Sequence, residues 1–479
     1  MAKKKKRKAR LADGTEVEYL PEVIGEGSEG IVHFTADRKS VLKFYKDDDD
    51  QKDPERKERI KHIVEKYNPT IEEKTGDYWK KLYCWPDGLV VSPRLGVRVP
   101  VYPANFFTKD GIEKKLSWFV NPKSRKHLPP SDRGNWLGHL QMAITMARAT
   151  RRLHSAGLAH SDLSYNNFLG DPVAGVTVMI DMDGLVVPGL HPPKIAGTPG
   201  LIAPEVIMGI AEPSIRTDLH ALAVLIYQTL LFRHPLRGPK VNSTLSAEED
   251  ESLSMGQKAL FIEHPLDQAN RPKNLRLSYL YLGPYLTELI NRSFIQSLHV
   301  PEDRPTAMEW EDALVRTANL VYPCSNKDCE MKWYVFSRTA NFVCPFCQQK
   351  LALPHIPIMQ YYKEQLGRPC HFLTEKQSLV VWHGLYLYKW HVYDNVWPGE
   401  NADKTPQGYF IYHNNNWYLY NLAMDLTAIE GGVSKNVPLG HYIRITEGLQ
   451  LRLSSEAHGR LLLTQLLRGG DQYLLTGTN

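Results

Sequence analysis

His160-Ser161-Asp162-Leu163-Ser164-Tyr165-Asn166-Asn167, followed by Val176-Thr177-Val178-Met179-Ile180-Asp181-Met182-Asp183-Gly184, decides the reading of this chain. The second stretch opens on a run rich in β-branched residues, which predicts a strand. A strand there delivers Asp181 to the same mouth as Asp162 and Asn167. Carboxylates and an amide oxygen at one mouth form a hard, oxygen-rich set of the kind Mg²⁺ prefers. Asp183 reads equally as a further metal ligand or as a turn residue before Gly184.

Toward the N-terminus, Gly25-Glu26-Gly27-Ser28-Glu29-Gly30-Ile31-Val32 lies between two β-rich runs. Glycines there leave room for backbone amides to approach phosphate oxygens. The motif turns between strands and does not open a helix, which argues against a dinucleotide fold. Gly25, Glu26, Gly27, Gly30 and Val32 are the candidate nucleotide-covering residues. Lys43 follows on the next strand, in Val41-Leu42-Lys43. A strand lysine is ordinarily a surface residue; here it is placed to neutralise phosphate charge. Such a lysine needs a carboxylate to hold it. A charged helix predicted from Pro54 to about Tyr67 offers Glu55, Glu58 and Glu65, and Glu58 is the candidate partner.

Toward the C-terminus, Gly197-Thr198-Pro199-Gly200 and Ala203-Pro204-Glu205 read as a platform for a peptide. Glu205 and Arg304 are a candidate buried ion pair anchoring it. Asp218 opens an apolar run, Ala221 to Tyr227, that predicts a buried helix and would tie that helix to the Asp162 loop. Residues 137 to 156 carry an apolar stripe at helical spacing.

The chain has 479 residues, 42% of them apolar and 23% charged, ordinary values for globular domains. No apolar run approaches the ~20 residues that span a bilayer. No apolar stretch follows the basic N-terminus, so a secretory leader is not expected, and a cytoplasmic location is. The net charge is +5, yet Lys3 to Arg10 alone supply more than that, so the remainder is slightly acidic. That basic run reads as a solvated tail, or as an attraction for nucleic acid, anionic lipid or an acidic partner. Nothing near it suggests a specific nucleic-acid reader. Asp47 to Asp50 read as a solvated turn.

Four of the six cysteines cluster as Cys324-x4-Cys329 and Cys344-x2-Cys347. Four thiolates at that spacing suit a closed, tetrahedral, structural Zn²⁺ site; free core cysteines and a redox pair at Cys344 and Cys347 are the competing readings. Cys84 and Cys370 read as free thiols in packed surroundings. Beyond them, short strands at regular spacing, among them Leu379 to Trp382, Gly408 to Tyr412, Trp417 to Tyr420 and Leu449 to Leu453, predict a β-sandwich. The expected fold class is α+β. Its parts are a basic tail (1–18), a bilobal domain (19–318, divided at 101/102), a small zinc ribbon (319–353), a linker (354–370) and an all-β sandwich (371–479).

These islands, in this order, resemble the eukaryotic-like protein kinase superfamily over residues 20 to about 315. The resemblance narrows to bacterial kinases of tellurite-resistance and stress-response clusters at Asp162-Leu163-Ser164-Tyr165-Asn166-Asn167-Phe168-Leu169 and at Ile180 to Gly189. It implies an ATP- and Mg²⁺-dependent (alternatively Mn²⁺-dependent) protein serine/threonine kinase. Asp162 would be the catalytic base, Asn167 and Asp181 the Mg²⁺ ligands and Lys43 the phosphate-binding lysine. It also implies a protein substrate and, as partners, a von Willebrand factor A protein and a metal-dependent protein phosphatase. Ser161 replaces the usual Arg before the catalytic Asp, which removes the dock for a phosphorylated loop. Ser164 replaces a usual Lys, and Met182-Asp183 replaces a Phe-Gly pair. Those departures motivate a competing reading as a nucleotide-binding pseudokinase scaffold. The last strands, notably Trp417 to Asn421 and Leu439 to Ile443, loosely resemble a forkhead-associated sandwich, implying a phosphopeptide reader or a partner-docking module.

Overall fold

The computed structural model describes residues 6–27, 30–46, 54–193, 197–241, 246–336, 342–365, 367–368 and 370–468. Ser28, Glu29, the expected turn at Asp47 to Asp50 and the first basic residues, Lys3 to Lys5, lie outside them. Helix and sheet are mixed, consistent with an α+β class. The chain divides into two compact units. One comprises residues 1–134, 138–275 and 290–311; the other comprises 135–137, 276–289 and 312–479.

The first unit begins with a closed barrel of six strands. They are β1 (Arg7–Leu11), β2 (Glu16–Glu26), β3 (Gly30–Thr35), β4 (Ser40–Tyr45), β5 (Gly88–Ser92) and β6 (Gly96–Pro100). The spatial order is β1-β2-β3-β4-β6-β5, and β5 returns to pair with β1 through Leu11 and Val90. Closure leaves no free edge. The expectation of a tail over residues 1 to 18 is therefore corrected for the described part. Ala9 and Leu11 point into the barrel core beside Tyr19, Leu42, Phe44 and Val90. Lys6, Lys8 and Arg10 alternate with them and are exposed, and Lys6 and Lys8 pair with Glu18 and Glu16 of β2, each at 2.8 Å. Period-2 alternation turns a basic run into one face of a strand.

The same alternation sorts β4. Leu42 and Phe44 face the barrel interior, whereas Tyr45 packs on the opposite side with Ile60, Leu89, Leu95 and Val97. Ile60 belongs to the helix Pro54–Lys61, which continues as a wider π-type turn over His62–Lys66. The helix Trp136–Ser155 follows, and then β7 (Phe168–Asp171) and β8 (Val176–Met179), which form an antiparallel hairpin pairing Phe168 with Met179. The helix Ile215–Leu231 is buried over most of its length, as the apolar run Ala221 to Tyr227 predicts. No helix among the described residues is long and apolar enough to cross a membrane.

The second unit carries a small hairpin, β9 (Val321–Pro323) with β10 (Trp333–Val335), and two larger antiparallel sheets. The six-stranded sheet contains β11 (Ile356–Glu364), β12 (Phe372–Val380), β16 (Leu426–Glu430), β17 (Val433–Val437), β19 (Gln450–Arg452) and β20 (Arg460–Leu467). The four-stranded sheet contains β13 (Tyr386–Leu387), β14 (Gly408–His413), β15 (Asn416–Asn421) and β18 (Tyr442–Ile445). Met359, Tyr361, Phe410, Trp417, Leu419 and Leu462, drawn from both sheets, share one buried core. The expected linker at 354–370 is corrected: β11 pairs with both β12 and β20 and is an interior strand of its sheet. Across the smaller sheet, Tyr386, Tyr409, Tyr420 and Tyr442 lie in direct register, a ladder of cross-strand aromatic pairs of the kind that fixes register.

Candidate active site

The hairpin β7–β8 brings the two deciding stretches together. Asn167 precedes β7, Ile180 follows β8, and the Ile180 amide donates to the Asn167 carbonyl at 2.9 Å. The loop bearing Asp162 and Asn167 therefore adjoins the residue that precedes Asp181. The His160 amide donates to Asp218 Oδ2 at 2.7 Å, so Asp218 does tie the buried helix to this loop. Ser161 and Asp181 both adopt left-handed backbone, with φ of 63° and 62°. Aspartate tolerates this region better than most residues other than glycine, so Ser161 is the more unusual of the two. Ser161 is held there by a 2.9 Å hydrogen bond from its hydroxyl to the Gly184 carbonyl.

The Asp162 carboxylate is fixed from both sides. Thr198 donates to Oδ1 at 2.8 Å, and Asn167 Nδ2 donates to Oδ2 at 3.0 Å and to the Asp162 carbonyl at 2.9 Å. Because the nitrogen of Asn167 is used on Asp162, its amide oxygen is the end left for a cation. Asp181 keeps a side chain that is 46% exposed. Asn167 and Asp181 thus fit an oxygen-loving cation by donor chemistry.

Lys43 Nζ lies 2.7 Å from Asp181 Oδ1 and 3.0 Å from Asp183 Oδ2. Asp183 is buried, and Tyr45 donates its hydroxyl to Asp183 Oδ2 at 2.6 Å. Burial pushes the Asp183 carboxyl up, but the Lys43 charge and the hydrogen bonds from Tyr45 and Lys43 outweigh it and hold it below its ordinary value. Burial, reinforced by the Asp183 charge, pushes the Tyr45 phenol well up, so it stays a donor. Neither residue's role was legible in the sequence. The candidate partner Glu58 is a correction: it pairs with His62, one turn along its own helix, at 3.2 Å and stays half-exposed.

The glycine motif forms the β2–β3 turn, closed by a 3.0 Å hydrogen bond from the Gly27 amide to the Gly30 carbonyl. A Cβ at Gly30 would meet the Phe44 carbonyl at 2.8 Å, so that glycine is required by the approach of β4. A Cβ at Gly27 would meet nothing within 4 Å, and one at Gly25 only Val32, at 3.7 Å. Their smallness answers no packing demand of the described residues.

Glu205 and Arg304 form the expected buried pair, bidentate at 2.7 and 2.8 Å. Ser164 is fully buried and accepts from the Asn166 amide. In the other unit, Cys324 Sγ lies 3.5 Å from Cys347 Sγ, and Cys329 Sγ 3.9 Å from Cys344 Sγ, with all four sulfurs within 4.8 Å of one another. Four sulfurs each ~2.3 Å from a central Zn²⁺ would sit roughly 3.8 Å apart, so the cluster fits that ion. Cys84 is buried, as expected, whereas Cys370 is exposed.

Comparison with known proteins bears on this geometry. No family model matches the chain. A protein named serine/threonine-protein kinase PknD, from Chlamydia abortus, is 34% identical over 109 residues, covering 18% of this chain and 12% of that protein. A dual serine/threonine and tyrosine protein kinase of Apis mellifera is 30% identical over 93 residues, covering 19% and 9%. PknD of Chlamydia trachomatis serovar D is 28% identical over 178 residues, covering 28% and 18%. The chain therefore spans less than a fifth of the length of each. These similarities, at low identity and partial coverage, support a relationship to the protein kinase superfamily.

Proposed function

We propose that residues 19–318 form a bilobal protein kinase domain that transfers the γ-phosphate of ATP to serine or threonine hydroxyls of a protein substrate. The observation that carries this reading is a chain of contacts: Asp162 is bonded to Asn167, the Asn167 carbonyl to the Ile180 amide beside Asp181, and Asp181 to Lys43. Asp162 accepts the proton of the acceptor hydroxyl, its carboxylate aimed by Thr198 and Asn167. Lys43 sets positive charge against the phosphates. Mg²⁺ held by Asn167 and Asp181 would neutralise charge on the transferring phosphate. The anchored Thr198 to Glu205 segment, beside Asp162, favours a peptide acceptor over a small molecule. Asp162→Ala should lower transfer by about 10²- to 10⁴-fold while ATP binding, followed by titration of the intact chain, survives. Unchanged transfer in that variant would refute the assignment.

The same proposal places a structural Zn²⁺ on Cys324, Cys329, Cys344 and Cys347 within a ribbon at 319–353. A closed set of four thiolates leaves no position for substrate, so the ion would stabilise and not catalyse. Elemental analysis should find one zinc per chain, lost in Cys344→Ser together with thermal stability; an equal melting temperature after metal removal would contradict the role. The C-terminal β-sandwich is proposed as a docking module. A bacterial stress-response setting with a von Willebrand factor A protein and a phosphatase rests on the sequence resemblance alone.

A further inference from the structure

We propose that Asp183 is the positioning residue for Lys43: its enclosed carboxylate, fixed by the Tyr45 hydroxyl, holds the Lys43 ammonium where the phosphates of a nucleoside triphosphate arrive. This deepens the kinase reading and rests on it.

Among the described residues, the two carboxylates that face Lys43 differ in kind. The Asp181 side chain is 46% exposed and keeps lone pairs open to solvent, hence to a cation. The Asp183 side chain is 4% exposed and closed in. It takes a 3.2 Å hydrogen bond from Lys43 on Oδ1 and the 2.6 Å bond from Tyr45 on Oδ2. Burying a carboxylate is expensive unless it is paired and hydrogen-bonded, so Asp183 is stable in this place because Lys43 and Tyr45 are there. Lys43 and Tyr45 are two residues apart on one strand and so emerge on the same face, which lets both converge on one carboxylate. The short turn Met182–Gly184 carries Asp183 inward while Asp181 stays at the mouth.

The helix Pro54–Lys61 meets this cluster with a cation. The Arg56 guanidinium lies 4.0 Å from the centre of the Tyr45 ring, a cation–π contact that steadies the residue fixing Asp183. Glu58 is engaged with His62. The lysine is thereby coupled to the loop that bears the metal-ligand candidate Asp181, and a displacement of the helix does not by itself remove its carboxylate.

The test uses the full-length chain as wild type, Asp183→Asn, Asp183→Glu, Tyr45→Phe and Glu58→Gln. Two quantities are read: the rate at which acetic anhydride acetylates Lys43, followed by mass spectrometry, and kcat and KM for ATP across a Mg²⁺ series. Asp183→Asn should speed Lys43 acetylation and lower kcat/KM by about tenfold or more, Asp183→Glu should recover part of both, and Tyr45→Phe should fall between. Glu58→Gln should change neither. Where thermal melts show Asp183→Asn to be unfolded, the Glu and Phe variants carry the comparison. Unaltered acetylation in all three Asp183 and Tyr45 variants, or a larger effect of Glu58→Gln, overturns the proposal. So does a raised Mg²⁺ requirement in Asp183→Asn with unchanged acetylation, which would make Asp183 a metal ligand. A wild type that transfers no phosphate while Asp183→Asn still accelerates acetylation would overturn the kinase reading and uphold the Lys43 anchor.

Discussion

Two charge clusters in the first unit are built from the same kinds of groups and serve opposite ends. Glu205 and Arg304 are both buried, joined by two hydrogen bonds, and Arg304 donates further to the carbonyls of Arg216 and Leu298. Every one of those contacts is internal. Lys43, Asp181 and Asp183 form a cluster that is closed on the Asp183 side and open on the Asp181 side. A closed pair gives its energy to the fold. An open one, on the proposed reading, holds charge ready for something that is not part of the chain.

The comparison breaks most clearly at the closed pair. Removing one partner of a buried ion pair strands the other charge, at about 3–5 kcal/mol. Arg304→Ala should therefore lower the urea midpoint and melting temperature by a correspondingly large amount. Its ATP affinity per folded molecule should stay close to wild type. A variant that melts like wild type but loses ATP would reverse the roles assigned to the two clusters.

A smaller effect concerns how the platform is held. His234 Nδ1 accepts from the amides of Leu236 and Arg237, so Nε2 carries the proton it donates to the Gly200 carbonyl at 2.7 Å. Burial pushes the His234 imidazole down to about 4. A group whose folded value lies below its unfolded value near 6.5 contributes stability that is complete above that value and lost as the pH falls toward 4. Protonation would also abolish the acceptor at Nδ1. Wild type should lose on the order of 2 kcal/mol more than His234→Gln between pH 7 and pH 5, by the exchange rate of ~1.4 kcal/mol per unit; parallel urea titrations at the two pH values measure it. Equal losses would mean that the imidazole is not held neutral. His139 and His391, pushed down to about 3 by burial, act in the same direction in both proteins and cancel in the difference.

What the sequence could and could not convey follows from the range of the contacts. Asp162, Asn167 and Asp181 are joined by a short hairpin, so local strand propensity was enough to place them together. The closed pair and the Asp218 tie followed from the order of the islands. The lysine's partner did not, because Lys43 and Asp183 lie 140 positions apart, and a charged helix next to β4 offers nearer and equally plausible carboxylates. Strand β1 was hidden because its outward lysines and arginines dominate the composition while only Ala9 and Leu11 mark the inner face. Strand β11 was hidden by Pro357 and by polar residues at its far end, although Ile356, Ile358 and Met359 are fully buried.

The central claim is that the open cluster binds a nucleotide and transfers its phosphate. The most direct measurement is transfer of γ-labelled phosphate from Mg²⁺-ATP by the full chain beside Asp181→Ala, with a candidate protein acceptor present. Label on the chain or the acceptor that disappears in the variant, with the two proteins melting alike, is the predicted result. No label from wild type under conditions where ATP demonstrably binds would contradict the account and leave the open cluster as a nucleotide-binding site without transfer.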